Sequence, residues 1–253
     1  EAPGQGSKYY EQAFWLRLDS RAEAVGLVTK PFSAASTPVG FGNELAVQYN
    51  EQPTEIAILT NTGIHTIRRR RLVDMFAAAI RQQGGDAGLE SEMQRFVRQY
   101  GRGEMTAAAM AVACGQGTDV SSTDARVAKI TDKSTLDLAQ KVFVEFGGKP
   151  YVNENTDVSM QAVDRVRPSA RHEGLALYIG RLVRNLWKSQ VINLSNLPGG
   201  AVTLSSRIPL PKLLMVQDDV STLDEFLTKN STFIEGLTRP EDLQRITSKQ
   251  EEI

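Results

Sequence analysis

The chain has 253 residues, of which 41% are hydrophobic and 23% charged, a composition typical of a folded protein with a sizeable core. Its formal net charge is −1, so the chain as a whole has no electrostatic preference for nucleic acid or an anionic membrane. The single cysteine, Cys114, excludes an intrachain disulfide and a thiolate metal cluster. No apolar run approaches about 18 residues and no signal peptide is apparent, so we expect neither a membrane span nor secretion.

The N-terminal part of the chain has the character of short strands. The chain begins at Glu1 rather than at methionine, and we expect it to be an excised piece of a longer protein. Residues 14–18 and 44–49 are predicted strands, the second because apolar residues alternate with smaller or polar ones. The predicted connection between them is a loop over residues 31–43.

Residues 55–60 and 64–68 are β-rich runs on either side of the loop Asn61-Thr62-Gly63, which predicts an antiparallel hairpin. Three or four short strands are too few for a stable sandwich or barrel. We therefore expect this sheet to be the end of a larger β domain, packed on the helix that follows.

From residue 72 onward the pattern is that of helices separated by short stops. A helix over 72–83 is predicted to end at Gly84-Gly85. Ser134, with Asp137 three residues later, predicts a capping box at the start of another helix. The segments 115–133 and 149–170 are predicted loops, the first with a possible short helix over 125–130. The other predicted helices cover residues 89–100, 104–114, 134–146, 172–189 and 211–230, with one more starting at Thr238.

Two helix faces are predicted to be exposed to solvent. On helix 172–189 the basic side chains of Arg181, Arg184 and Lys188 project away from the apolar stripe. Helix 211–230 has a predicted acidic outer face formed by Asp218, Asp219, Asp224 and Glu225. Cys114 ends a helix of small residues and is a predicted core residue.

Catalytic chemistry has little support. The two histidines, His65 and His172, lie in no motif that would activate a serine or bind zinc, and both are predicted surface residues. No pair of carboxylates stands out, and the paired glycines are predicted helix stops rather than phosphate loops. We expect no enzyme activity, no metal and no cofactor.

The dense basic cluster Arg68, Arg69, Arg70 and Arg71 has two interpretations. The functional one is a contact for phosphate or an acidic partner, as in a nucleic-acid-binding or phosphoinositide-binding helical module. The structural one, which we favour because no aromatic residues are interleaved, is that the arginines cover the seam between sheet and helix. In that case they fix the angle at which one architecture leaves the other.

Helices that alternate with short stops, without catalytic residues and without a strict repeat, indicate an irregular antiparallel α-solenoid of six or seven helices used for binding. The predicted fold class is therefore mainly α, preceded by a small antiparallel β segment.

Four segments, taken in order, resemble one family. They are ILTNTGIHTIRRRRLVDMF, FGGKPYV, HEGLALYIGRLVRNLWKSQVI and IPLPKLLMVQDDVSTLDEFL. Between about Trp15 and Phe233 the chain is similar to the large inner-ring scaffold nucleoporins, in their fungal form. These are built as an N-terminal β-propeller followed by a long α-solenoid. The segment 149–171 is shorter than in some relatives.

The resemblance implies that residues 1–71 are the last strands of the propeller and residues 72–253 the start of the solenoid. It implies a structural scaffold of the nuclear pore complex at the nuclear envelope, supporting nucleocytoplasmic transport of mRNA and protein. The implied partners are other nucleoporins, through short linear segments of linker nucleoporins, including an adaptor with phenylalanine-glycine repeats. The family's membrane contact lies in a propeller loop outside this chain, and no small-molecule substrate or specific nucleic acid is implied.

We predict that the partner segment lies in a groove between helices 172–189 and 211–230. Trp187, Lys188 and Met215 are the candidate contacts. The alternative for Trp187 is ordinary core packing.

Overall fold

The computed structural model describes residues 15, 17–29, 44–49, 51–82, 85–118, 129–149, 151–152, 166–187, 190–196 and 202–230. Two compact units are present, one formed by Glu1–Phe32 with Thr54–Arg69 and the other by Ser33–Pro53 with Arg70–Ile253. The predicted boundary between residues 71 and 72, as the boundary between a propeller and a solenoid, stays a prediction. The mainly helical class with small antiparallel sheets is confirmed.

The first unit contains a three-stranded antiparallel sheet of β1 (Ala22–Leu27), β2 (Glu55–Thr60) and β3 (Gly63–Arg68), in that spatial order. Strands β2 and β3 form the predicted hairpin, with Ile58 opposite His65. The turn is closed because the Thr60 hydroxyl donates to the Gly63 carbonyl oxygen over 2.8 Å. Strand β1 is absent from the predicted elements, since its sequence AEAVGL contains Ala, Glu and Gly, which strands disfavour.

The predicted strand over 44–49 is wrong, because these residues begin with the short helix α1 (Glu44–Val47). A six-residue alternation fits a helical turn as well as a strand. The Gln48 side chain stabilises the helical choice. Its amide nitrogen donates to the Leu45 carbonyl over 3.1 Å, and its Oε1 accepts from the Val73 backbone N–H over 2.9 Å.

Of the predicted strand 14–18, the described residues Trp15, Arg17 and Leu18 lie outside any strand. Residues 14 and 16, and the predicted loop 31–43, lie outside the described residues.

The described residues of the second unit form helices and two small hairpins. Its long helices are α2 (Leu72–Arg81), α3 (Asp86–Tyr100), α4 (Arg102–Ala113), α5 (Lys133–Phe146), α6 (Ala170–Leu182) and α8 (Leu210–Lys229), with the one-turn helix α7 (Arg184–Trp187) directly after α6. The hairpins pair β4 (Tyr151–Val152) with β5 (Val166–Arg167), and β6 (Ile192–Asn196) with β7 (Val202–Ser206). In the part of the chain that the structure describes, no helix is long and apolar enough to cross a membrane.

Helix α4 lies at the centre of this unit and packs against α2, α3, α5 and α6. Every residue from Met105 to Val112 is buried, because a run of alanines brings the neighbouring helices close on all sides. Around it the core contains Phe76, which meets Phe96 edge to face at 5.4 Å between ring centroids, and the buried Phe143. Cys114 is buried at the end of α4, as predicted.

Two predictions about the later helices need correction. The N-cap of α5 is Asp132 rather than Ser134, because the Asp132 carboxylate accepts the Thr135 backbone N–H over 3.1 Å. The helix predicted over 172–189 is interrupted at Val183, between α6 and α7, and residues 188 and 189 lie outside the described residues.

The hairpin of β6 and β7 is absent from the predicted elements. Leu194 lies opposite Leu204, and the polar residues Ser195 and Thr203 alternate with them, which is the two-residue period of a strand. Gly199-Gly200, a predicted helix stop, falls between these paired strands and outside the described residues. The predicted helix from Thr238 also lies outside them, as does most of the short helix over 125–130.

Candidate binding groove

The four arginines are divided between the two compact units. Arg68 at the end of β3 donates from Nε to the Glu55 carboxylate on β2 over 2.7 Å. Arg69 and Arg70 are exposed, and Arg71 precedes α2. The phosphate-binding alternative therefore has fewer accessible cations than the sequence suggests.

Arg71 is a structural residue of the helical unit. Its Nε and one Nη donate to the two oxygens of Asp74 over 2.8 and 2.9 Å. The other Nη donates to the carbonyls of Gln48 and Glu51 over 2.8 and 2.9 Å, and a fifth bond of 3.1 Å reaches Thr118 Oγ1. All five guanidinium N–H groups are thereby satisfied, and three chain segments are joined.

The predicted peptide surface is only partly described. Trp187 on α7 is 76% exposed, so the core-packing alternative for this residue is wrong. Met215 on α8 is half-buried, and Lys188 lies outside the described residues. Neither Trp187 nor Met215 lines the pocket described next.

A pocket of about 790 Å³ opens where α6 faces the start of α4 and the end of α5. Its floor is the small and apolar face of α6, formed by Ala176, Leu177 and Gly180. Pro168 and Ala170 close the end at the start of α6. A concave, mostly apolar floor of this size is typical of a ligand or peptide site.

Gly147 and Gly148 shape the wall of the pocket at the end of α5. A Cβ on Gly147 would lie 2.0 Å from Cγ of Arg171 and 2.5 Å from the Phe143 carbonyl oxygen. Gly148 has φ 68°, which L side chains rarely adopt. These glycines end the helix as predicted and also let α6 approach it.

The charged groups of the pocket are mainly basic. Arg102, Lys149 and Arg184 line it, with Glu173 as an acidic residue among the lining side chains. Arg181 also lines it, but it is 7% exposed and donates from both Nη atoms to the Glu104 carboxylate over 2.8 and 2.6 Å. The prediction that Arg181 projects to solvent is therefore wrong, because a bidentate pair with Glu104 satisfies it between α4 and α6.

Comparisons with protein-family models, curated proteins and solved structures all match this chain to nucleoporins. The model described as non-repetitive/WGA-negative nucleoporin C-terminal matches residues 169–253. The chain is 45% identical to nucleoporin NUP170 of Chaetomium thermophilum, over 99% of this chain and 17% of that protein. It is 33% identical to probable nucleoporin C890.06 of Schizosaccharomyces pombe, over 83% of this chain and 17% of that protein.

A crystal structure described as the Chaetomium thermophilum Nup170 NTD-Nup53 complex matches this fold with a TM-score of 0.71 at 44% identity, over 91% of this chain and 29% of that chain. The chain belongs to the nucleoporin family. It spans about 17% of the length of the two curated relatives given above. The family-model match starts at Ser169, whose hydroxyl caps α6 by accepting the His172 backbone N–H, so it includes the α6 floor of the pocket.

This nucleoporin chain contains a buried carboxylate that the sequence assigns to solvent. Asp219 on α8 is 3% exposed, with Lys129 Nζ 3.7 Å away, and Lys129 also contacts Asp218. Burial raises the pKa of Asp219, and the opposing effects of Lys129 and Gln116 only partly offset it. The predicted solvated acidic face is therefore wrong at this position.

Asp219→Asn is expected to raise the free energy of unfolding at pH 7 by on the order of 1 kcal/mol, because an amide avoids burying a charge. The pKa of Asp219 in the folded protein lies above the ordinary value of 3.8. The free-energy cost of burying its charge is therefore absent below pH 3.8 and appears as the pH rises, so the gain from the amide should do the same. Urea unfolding at pH 3 and pH 7 measures it. A variant that is less stable at pH 7 would show that the Lys129 pair outweighs the burial cost.

Among the described residues of this nucleoporin, no group of three His, Cys, Asp or Glu side chains could hold a metal ion. Burial raises the pKa of the Cys114 thiol to about 12, so it stays protonated and is a poor nucleophile. The exposed His172 lines the pocket beside Glu173, and His65 is exposed on β3. The described side chains that line the pocket can offer a ligand apolar contacts, hydrogen bonds and positive charge.

Proposed function

We propose that this chain is part of a structural scaffold of the nuclear pore complex inner ring, and that its pocket binds a short linear segment of a linker nucleoporin. Residues 1–71 would end the propeller and residues 72–253 begin the solenoid. The observation that carries the proposal is the pocket along α6, in a fold that matches a Nup170 domain crystallised with Nup53. The protein then acts at the nuclear envelope as a scaffold and not as an enzyme.

The mechanism is shape complementarity. The floor offers room for one or two apolar anchors, because Ala176 and Gly180 leave the α6 backbone nearly bare. The walls are rigid, since Arg181 pairs with Glu104 across the interface of α4 and α6. A preformed site of this kind lowers the entropy cost that a flexible linker incurs on binding.

The test places a large side chain on the floor of the pocket and leaves the net charge of the protein unchanged. In the full-length protein, Ala176→Trp is expected to weaken binding of Chaetomium thermophilum Nup53 at least tenfold in titration calorimetry, a loss of about 1.4 kcal/mol. Ala176 is exposed, so the variant should retain the fold, which circular dichroism checks. Gln217→Trp on the exposed face of α8 is the matched control and should bind normally.

The surface of Trp187 and Met215 is the competing location. If Ala176→Trp binds as the wild type while Trp187→Ala or Met215→Glu weakens binding, the segment lies on that surface and the pocket assignment is overturned. Failure of the wild-type protein to bind Nup53 would overturn the proposed function itself.

A further inference from the structure

The pocket carries more positive charge than its own residues neutralise. Arg102, Lys149 and Arg184 line it, and in the described part of the chain none of the three has a carboxylate within salt-bridge distance. The Nε of Arg184 is buried and has no hydrogen-bond partner among the described residues. An unpaired buried donor beside an open pocket favours an acceptor supplied by a ligand.

The acidic residue in the pocket does not fill this role. The Glu173 carboxylate lies against the first turn of α4, with its carboxyl carbon 2.7 Å from where a Cβ on Gly103 would lie. There it interacts favourably with the positive end of the α4 dipole. Three cations thus face one carboxylate that is placed at a helix terminus, and the pocket remains positive.

From this arrangement we infer that the occupant is an acidic linear peptide, with an aspartate or glutamate beside an apolar anchor. The anchor contacts the floor at Leu177 and Gly180, and the carboxylate accepts from Arg184, with Arg102 and Lys149 adding attraction. This inference rests on the proposed function and names the chemistry of its partner. A peptide fits better than a membrane surface, because the cations surround a concave apolar floor instead of forming a flat face.

Charge reversal tests the inference independently of the floor. With Chaetomium thermophilum Nup53 as the probe and the full-length protein, Arg184→Glu and Lys149→Glu are each expected to weaken binding about tenfold or more. Arg184→Lys should retain part of the affinity, since it keeps the charge but loses the forked donors. Arg98→Glu, an exposed position on α3, changes the net charge equally and should leave affinity unchanged.

Salt provides the second readout. Raising the salt from about 0.05 to 0.5 M should weaken wild-type binding several-fold and Arg184→Glu much less, because the screened attraction is already absent. Normal binding by Arg184→Glu, together with loss in Ala176→Trp, would overturn the acidic partner while leaving the proposed function intact. Loss of phosphatidylserine vesicle binding by Arg184→Glu, with Nup53 binding unaffected, would assign the cations to a lipid headgroup and also overturn it. A wild type that does not bind Nup53 overturns both.

Discussion

Replacing Arg71 by alanine is expected to lower the free energy of unfolding by about 3–5 kcal/mol, the usual cost of removing one partner of a buried ion pair. The change leaves Asp74, 3% exposed, without its counterion and leaves the Gln48 and Glu51 carbonyls without their donor. Asp74 would retain only backbone donors, from residue 71 and from Thr118. Urea unfolding followed by circular dichroism measures the loss.

The same pair sets a pH dependence. Burial alone would raise the pKa of Asp74, but its hydrogen bonds and attraction to Arg71 outweigh burial and lower it. A depressed folded pKa means that the stabilisation is present above the ordinary value of 3.8 and is lost as the pH falls through the folded pKa. The difference between wild type and Arg71→Ala should therefore shrink under strong acid.

Two controls isolate the pair. Arg70→Ala, at the exposed neighbouring position, should change stability by less than about 0.5 kcal/mol. The double variant Arg71→Ala with Asp74→Ala should cost little more than either single change, because the two residues act as one unit. Equal effects at positions 70 and 71, or additive losses in the double variant, would contradict the structural role assigned to Arg71.

Local patterns were sufficient for much of the fold. The hairpin of β2 and β3 follows from two β-rich runs around Asn61-Thr62-Gly63, and α3 follows from one apolar stripe ending at Gly101. In each case the elements that pair or terminate are close in sequence, so short-range physics decides them. The segment 44–49 shows the limit, since the Gln48 side chain that stabilises the helical turn also accepts the backbone N–H of Val73, which is distant in sequence.

Burial of charge could not be predicted, because it depends on distant partners. The sequence predicts that Arg181 is exposed to solvent. In the structure it pairs with Glu104, which lies 77 positions earlier in the chain. The sequence likewise predicts that Asp219 is part of an exposed acidic face, because nothing in the predicted loop 115–133 indicates that Lys129 lies beside it. The helical spacing of both residues fits solvent exposure, and only the contacts of Arg181 with α4 and of Asp219 with Lys129 show that they are buried.

The pocket could not be predicted for a related reason. Its lining comes from the start of α4, the end of α5 and one face of α6, and no motif joins them. Gly147-Gly148 was recognisable only as a helix stop, and Gly180 has no signature at all. Trp187 is exposed and does not line the pocket, so its role as a partner contact stays a prediction.

Gly174→Ala is expected to lower the free energy of unfolding by about 1–3 kcal/mol, the usual cost of overpacking a core. Gly174 lies where α6 crosses α4, and an added Cβ would be 2.3 Å from Thr106 Oγ1 and 2.7 Å from the Ala107 backbone nitrogen. The backbone cannot give way easily. Thr106 is fully buried, and its hydroxyl donates to the Ala170 carbonyl oxygen over 2.7 Å, which holds the two helices at this distance.

The matched control lies on the same helix. A Cβ on Gly180 would meet nothing within 4 Å, so Gly180→Ala should raise stability by about 0.5–1 kcal/mol through helix propensity alone. Gly174→Ala gains the same propensity, so the difference between the two variants measures the strain at the crossing of α4 and α6. If urea unfolding shows that both variants are stabilised, α4 and α6 can move apart at no free-energy cost. The close contact at Gly174 would then contribute nothing to stability. A loss confined to Gly174→Ala instead makes this contact the one that fixes α6, and with it the floor of the pocket, against the core.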